Sequence, residues 1–173
     1  MINLIQNPFL EVASSPKPLP FLRMELSESY YYPLKTAADF VDVDPLSSIL
    51  STLAKIKNAE DKAFFQVILA PPPRSFTKNL NEKIVKGIKN PDGSYSPHPD
   101  QALLQKKAEK LPFAAAINLV ASDRQILEEL AGSFRIFSHP KGNSLAPKKP
   151  NFLSRQKVWK KIIAREPFRK RRF

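Results

Sequence analysis

Histidine and aspartate are the residues of this chain that could support acid–base or metal chemistry, and their surroundings favour neither. The two histidines, His98 and His139, each precede a proline. A metal site needs about three or four converging ligands, and no carboxylate cluster accompanies either ring, so we expect both to be solvated loop residues. Asp39, Asp42 and Asp44 stand close together and could attract a divalent cation. Asp44 suits a helix cap better, and the other two suit a solvent-facing loop.

Glycine loops that bind phosphates are missing from the sequence. Such a loop follows the pattern GxxxxGK[ST], in which backbone amides and a lysine surround the phosphates. The glycines are Gly87, Gly93, Gly132 and Gly142, and none precedes a lysine. There is also no GxGxxG dinucleotide fingerprint, and no cysteine for a thiolate zinc site, a disulfide or a nucleophile. We therefore predict a protein that is not an enzyme, with no catalytic residues, metal or cofactor.

Positive charge is concentrated at the C-terminal end. The chain of 173 residues has a net charge of +12. Residues 141–173 hold twelve lysines or arginines and a single acid, Glu166, whereas residues 1–140 are nearly neutral. Dense lysine and arginine neutralise phosphates through contacts that depend on salt and are largely blind to sequence. This distribution predicts that the C-terminal segment supplies any affinity for polyanions.

The same segment has the pattern of an amphipathic helix. Val158, Trp159, Ile162 and Ile163 would share one side, and lysines and Arg165 the other. We predict that Trp159 is a docking residue. The predicted polyanion-binding residues are Lys148, Lys149, Lys157, Lys160, Lys161, Arg165, Arg169, Lys170, Arg171 and Arg172. Three interpretations stay open: binding to nucleic acid, binding to an anionic membrane surface, or a helix docked on its own domain with a solvated basic face.

The elements that would position this segment begin with a well-marked helix. Asp44 is a natural N-cap, and Pro45 fits the first helical position. An apolar stripe follows at helical spacing and comprises Leu46, Ile49, Leu50, Leu53 and Ile56. The segment "AFFQVIL" (63–69) predicts a buried strand that ends at three prolines. Upstream, "FLRMELSE" (21–28) predicts a half-buried strand.

The second half of the chain echoes this order of strand, helix and strand. "LPFAAAINLVAS" (111–122) predicts a buried strand, and Ser122 with Gln125 predicts a capping box at the start of the next helix. A short edge strand could follow around 143–146. Two such halves favour an α+β fold of the ferredoxin-like, split βαβ type. We expect an antiparallel sheet with helices on one face, a helical insertion at 75–110, and the basic C-terminal helix.

The chain divides into three predicted regions: a proline-bearing lead-in at 1–20, an α+β domain at 21–140, and a basic connector, helix and tail at 141–173. A hydrophobic content of 42% supports a packed core. The predicted members of this core are Leu50, Leu53, Val67, Leu69, Ile117, Leu119, Leu130 and Phe134.

The consecutive residues Tyr30, Tyr31 and Tyr32 suggest a base-stacking platform or, as the favoured interpretation, packing at a strand edge.

Several of these segments together resemble a known family. "FVDVDPLSSILSTLAKIKNAEDKAFFQVILAPPP" (40–73) is similar to the domain that precedes the motor in predicted conjugation or type IV secretion ATPases of the FtsK–HerA superfamily. "PFAAAINLVAS" and "FSHPKGNSL" look like the second half of that domain, and "REPFRKRRF" looks like its basic segment. The resemblance covers roughly 21–173. The motor with its nucleotide loop is absent, so no motor residue is carried over to this chain.

The resemblance implies a non-catalytic accessory domain that positions a motor ATPase or recruits its substrate. The motor would belong to the same chain, as in the relatives, or to a separate one. The alternative is an autonomous nucleic-acid-binding protein, associated with ribosomes for example, that grips phosphates with its basic tail. Candidate partners are thus the motor, DNA or RNA, and an anionic membrane, with no small-molecule substrate. No apolar run approaches about 18 residues, so we expect a cytoplasmic location, with the inner face of the membrane as a further site.

Overall fold

The computed structural model describes Val12, residues 18–56, residue 58 and residues 61–167. In this part of the chain the α-helices are α1 (Pro45–Ala54), α2 (Ser75–Lys86), α3 (Gln101–Ala108), α4 (Arg124–Ser133) and α5 (Phe152–Ile163). The strands are β1 (Phe21–Leu26), β2 (Ala63–Ala70), β3 (Ile88–Lys89), β4 (Tyr95–Ser96), β5 (Ala114–Ala121) and β6 (Leu145–Lys148). Short 3-10 helices cover Ala37–Asp39 and Phe134–Phe137.

The main sheet has four antiparallel strands in the order β2-β5-β1-β6. β5 pairs with β2 along its whole length, from Ala63 opposite Ala121 to Ala70 opposite Ala114. β3 and β4 form a separate small hairpin. The prediction of an α+β fold with an antiparallel sheet is therefore confirmed.

One face of the sheet packs against α1 and α4. Leu119 from β5 and Leu130 from α4 are completely buried there, and Leu22, Ile49 and Phe134 join the same cluster. Side chains alternate between the two faces along a strand, which explains why these residues are buried together. Leu22 lies directly opposite Leu119 and shares its face. The predicted core residues Leu119, Leu130 and Phe134 are thus buried, and Leu53 and Ile117 pack against the cluster while partly buried.

The other face of the sheet is covered by α5. Phe21, Val120, Trp159 and Ile162 form a second buried cluster, to which Val12 contributes. The sequence assigned residues 141–173 to a separate connector and tail. The structure differs, because β6 pairs with β1 and α5 packs on the sheet. The periodicity of a helix shows which side is apolar, but it does not show which surface that side covers.

Three of the predicted core residues are exposed, and that part of the prediction is wrong. Leu50 is 56% exposed, Val67 49% and Leu69 62%. β2 is an edge strand, so its side chains, Val67 and Leu69 among them, have a neighbouring strand on one side only. Leu50 lies a helical step of about 100° away from the buried Ile49, which turns it out of the core. An apolar run in the sequence does not distinguish an edge strand from a central one.

Helix starts follow local hydrogen-bonding chemistry. Asp44 caps α1 by accepting from the Leu46 N–H at 2.9 Å, and Pro45 occupies the first turn, as predicted. The predicted cap at Ser122 is wrong, because Asp123 caps α4 and accepts from the Gln125 N–H at 2.6 Å. The Ser122 hydroxyl instead accepts from the backbone N–H of residue 62 at 3.0 Å, between two strands. Neighbouring serine and aspartate are both good caps, so the sequence alone left the choice open.

The insertion between the two halves consists of α2, the β3–β4 hairpin and α3. Tyr30 and Tyr32 fasten it to the body of the domain. The Tyr30 ring lies 5.3 Å from the Phe76 ring of α2, and the Tyr32 hydroxyl donates to Asp100 at 3.1 Å. Lys107 of α3 donates to the carbonyl oxygens of both tyrosines. The tyrosines follow β1 in a turn, so they pack against the insertion and not along a strand edge.

Candidate polyanion-binding surface

α5 has well-defined ends. Asn151 caps its start by accepting from the Ser154 N–H at 3.0 Å. At the other end the Glu166 N–H donates to the Lys161 carbonyl at 3.0 Å, and the Arg165 N–H donates to the Ile162 carbonyl at 3.1 Å. Arg165 has a φ of 53°, the left-handed conformation that closes a helix in this way and that glycine usually supplies.

The apolar side of α5 faces the sheet. Trp159 is 6% exposed, and its ring centroid lies 5.5 Å from that of Phe21 on β1. Ile162 is completely buried, and its carbonyl accepts from the Gln66 side chain at 3.2 Å. Gln66 in turn accepts from the buried Asn118 amide at 3.0 Å. Trp159 therefore attaches α5 to its own domain.

The opposite side of α5 is basic. Lys157 and Lys160 are exposed, Lys161 is half-buried, and Arg165 is exposed just beyond the helix. Residues 152–163 contain no acid, so no charge on the helix itself offsets these lysines. Arg155 belongs to the same helix, and its guanidinium lies 5.6 Å from the Phe21 ring centroid. Arg155 stands four residues before Trp159, on the side of α5 that faces the sheet, and it was not part of the predicted set.

The predicted residues Lys148 and Lys149 lie beside carboxylates. Lys148 is 3.1 Å from Glu25 of β1, and Lys149 is 3.8 Å from Glu128 of α4. Arg23 also approaches Glu25, at 3.5 Å. Burial lowers the pKa of Arg23, and Glu25 opposes that shift. Exposed ion pairs of this kind contribute little to stability, but they place acids next to two of the bases that were predicted to bind polyanions.

The remaining members of the predicted set, Arg169, Lys170, Arg171 and Arg172, lie outside the described residues. Their role in polyanion binding stays a prediction. The structure thus places Lys157, Lys160 and Lys161 on α5 and Arg165 just beyond its end, and it places Lys148 and Lys149 at the end of β6 beside Glu25 and Glu128.

The histidines hold loops in place. His98 is 7% exposed, so the prediction of a solvated residue is wrong for it. Its Nδ1 accepts from the Asp100 N–H at 3.1 Å, and its ring lies beside Tyr32. This proline-rich loop belongs to the insertion, and the contact with Tyr32, which is distant in sequence, could not be predicted. His139 is half-buried, and its Nδ1 accepts from the Lys141 N–H at 3.2 Å.

The aspartates considered for metal binding have local roles. Asp39 accepts from the backbone N–H of Thr36 at 2.7 Å and from its hydroxyl at 2.9 Å, and these hydrogen bonds lower the pKa of its carboxyl. Asp44 caps α1, and Asp42 is exposed. Across the residues that the structure describes, no group of three or more histidine, cysteine or acidic residues could hold a metal ion.

Asn143 and Lys107 are structural residues that the sequence did not single out. Asn143 is almost fully buried, and its side chain accepts from the Glu28 N–H at 2.9 Å and donates to the Ser29 carbonyl at 2.9 Å. It thereby fastens the turn after β1 to the loop before β6. Burial lowers the pKa of Lys107 to about 8. Neither residue belongs to a local motif, because both act on backbone that is distant in sequence.

No helix in the described part of the chain is long and apolar enough to cross a membrane. A scan against protein-family models, a search of curated proteins and a search of solved structures each found no match.

Proposed function

We propose that this chain is a non-catalytic interaction domain that binds a polyanion, DNA or RNA, through the basic side of α5. One observation carries the proposal. α5 is packed on the sheet through Trp159 and Ile162, and the same packing leaves Lys157 and Lys160 exposed to solvent. A preorganised row of cations loses less conformational freedom on binding phosphates than the same cations on an unfolded tail.

We further propose that the sheet follows the ferredoxin-like, split βαβ plan. β1 and β2 are both antiparallel to β5, so they are parallel to each other, with α1 connecting them and β5 between them. β5 and β6 are related in the same way through α4, with β1 between them. Two such units that interleave their strands support this assignment.

The resemblance to the pre-motor domain of FtsK–HerA-type ATPases supports a more specific role. In that role the domain positions a motor or recruits the nucleic acid on which the motor acts. The proposal rests on the quoted segments, and a motor reading frame directly downstream of this one would support it. The alternative is a free-standing nucleic-acid-binding protein, which a neighbouring set of translation genes would favour.

A salt titration tests the binding surface. The full chain should bind duplex DNA with log K falling against log salt by about 0.9 per phosphate contacted. Replacing Lys157 and Lys160 together by alanine should weaken binding and reduce that slope by about 1 to 2. Both side chains are exposed, so the fold should be retained.

A matched variant separates this surface from net charge. Lys78 of α2 and Lys89 of β3 are also exposed. Replacing both by alanine removes the same charge and should leave the slope almost unchanged. Equal effects of the two double variants would contradict a defined surface on α5. If the chain bound anionic vesicles more strongly than DNA or RNA, the ligand of α5 would be a membrane surface and not a nucleic acid.

A further inference from the structure

The two edges of the main sheet differ in how well they are protected against pairing with another strand. β6, at one edge, has four residues and contains Pro147 and Lys148. A short strand with proline and lysine is a poor template for another strand. β2, at the other edge, runs for eight residues and carries neither proline nor a charged residue. Among the described residues, β5 is the only strand that pairs with β2.

Every second residue of β2 directs its backbone away from β5. The carbonyl of residue 62 accepts from the Ser122 N–H at 2.7 Å, which shows that even-numbered residues bond towards β5. Backbone groups alternate in direction along an antiparallel strand. The residues whose N–H and C=O groups face the open edge are Ala63, Phe65, Val67 and Leu69. No hydrogen bond from elsewhere in the described chain reaches these groups.

Apolar side chains flank this open edge. The exposed Val67 and Leu69 lie on the α1 side of β2. Beside them, Leu53 lines a groove of about 850 Å³ that follows the strand. On α1, the exposed Leu46 and Leu50 lie on the same side of the buried Ile49 as Leu53 does, because each helical position advances by about 100°. They extend the apolar surface beyond Leu53. Unpaired backbone beside apolar side chains is the arrangement that accepts an added strand.

We infer that the added strand is β2 of a second copy of this chain, related by a two-fold axis that passes beside Gln66. In this antiparallel register Phe65 lies opposite Val67 of the second copy, and Ala63 lies opposite Leu69 of the second copy. Every outward N–H and C=O group then finds a partner. The register also keeps the α1 faces of both copies on the same side, because residues opposite each other in an antiparallel pair share a face.

A second copy fits because β2 is complementary to itself. The strand has no charged residue, and the register sets Lys62 opposite Ala70 of the second copy, so no like charges face each other. Each copy covers the exposed Val67 and Leu69 of the other. A two-fold contact of this kind closes on itself and leaves only the protected β6 strands as edges.

The pairing has a consequence for the basic surface. The two-fold axis is perpendicular to the sheet, so both α5 helices lie on one side of the joined sheet. Lys157 and Lys160 of the two copies then contribute to a single cationic surface. The like charges of the two α5 helices oppose pairing, and salt should therefore strengthen the dimer while it weakens binding to DNA.

Sedimentation of the full chain over a concentration series tests the inference. We expect the wild type to form dimers and Val67→Lys to stay monomeric, because a charge at the centre of the edge disfavours pairing. Val67 is half-exposed in one copy, so the substitution should spare the fold. The matched control is Val85→Lys on α2, where the side chain is 83% exposed and far from β2 in sequence, and it should dimerise like the wild type.

Amide hydrogen exchange gives a second measurement that needs no variant. Phe65, Val67 and Leu69 should gain protection as the concentration rises, whereas Phe64, Gln66 and Ile68 should be protected at all concentrations by β5. A wild type that stays monomeric up to about 1 mM would overturn the inference. A dimer that survives Val67→Lys, or one in which the odd-numbered amides of β2 exchange freely, would overturn it as well. DNA binding is measured separately, so either proposal can fail without the other.

Discussion

Lys107 joins the insertion to the body of the domain at an energetic cost. Its ammonium donates to the backbone carbonyls of Tyr30 and Tyr32, and burial lowers its pKa to about 8. Because the pKa is lower in the folded chain than in the unfolded one, the unfolded chain binds more protons between about pH 8 and 10.5. Lys107 therefore opposes folding at neutral pH, and this opposition diminishes as the pH rises through that range.

The substitution Lys107→Met tests this linkage. The free energy of unfolding of the wild type, measured relative to the variant, should rise between about pH 8 and 10.5 and then level off. The rise should be at most about 3 kcal/mol. Urea denaturation at a series of pH values gives the difference. Lys106→Met, which removes the same charge at the exposed neighbouring position, is the matched control. A difference that is flat from pH 7 to about 10.5 would contradict a buried ammonium.

At the scale of single residues, the sequence predicted side chains whose environment follows from local periodicity. Trp159 on the apolar side of α5 and Lys157 on its basic side are of this kind, since the helical repeat of about 3.6 residues determines which residues share a side. The exposure of Val67 and the ion pair between Lys148 and Glu25 depend on strand order and on contacts across the sheet. Neither is encoded in the neighbouring sequence.

At the scale of elements, α5 is the part of the fold on which the proposed function depends. It packs on the opposite side of the sheet from α1 and α4. Its apolar side and its basic side could both be predicted. Its place on the sheet could not, because the partner surface comprises Phe21 and Val120, which belong to strands far apart in the sequence.

The single tryptophan makes the attachment of α5 measurable. Ile162→Ala removes buried apolar contacts and should destabilise the chain by about 2–5 kcal/mol. Trp159 fluorescence should shift to longer wavelengths at lower urea concentrations than in the wild type, since the indole leaves Phe21 for water. Leu153→Ala, at a 91% exposed position on the same helix, should change neither property. Unchanged unfolding of Ile162→Ala would contradict the observed packing.

At the scale of the whole molecule, β6 and α5 are part of the folded body. β6 pairs with β1, and α5 covers the second face of the sheet. The boundary predicted at residue 140 therefore passes through a single folded unit. The charge distribution suggested a separable tail, but the apolar residues between the lysines complete the domain.

Two truncated chains test this unity. A chain that ends at Pro140 loses β6 and α5 and exposes Phe21 and Val120, so it should lose cooperative unfolding or aggregate. A chain that ends at Pro167 lacks only the last six residues, including Arg169 to Arg172, and should unfold like the full chain. Thermal unfolding followed by circular dichroism distinguishes them. A cooperative transition in the chain that ends at Pro140 would show that residues 21–140 fold alone.

The central position of β1 has a consequence for synthesis on the ribosome. β1 is the first strand of the sheet to be made, yet both of its neighbours, β5 and β6, follow later in the chain. At about 5–20 residues per second, the 87 residues between β1 and β5 take on the order of 4–17 s to translate. Phe21, Leu22 and Met24 remain without their sheet neighbours during that interval. The nascent chain therefore presents an apolar segment to which chaperones bind until β5 emerges.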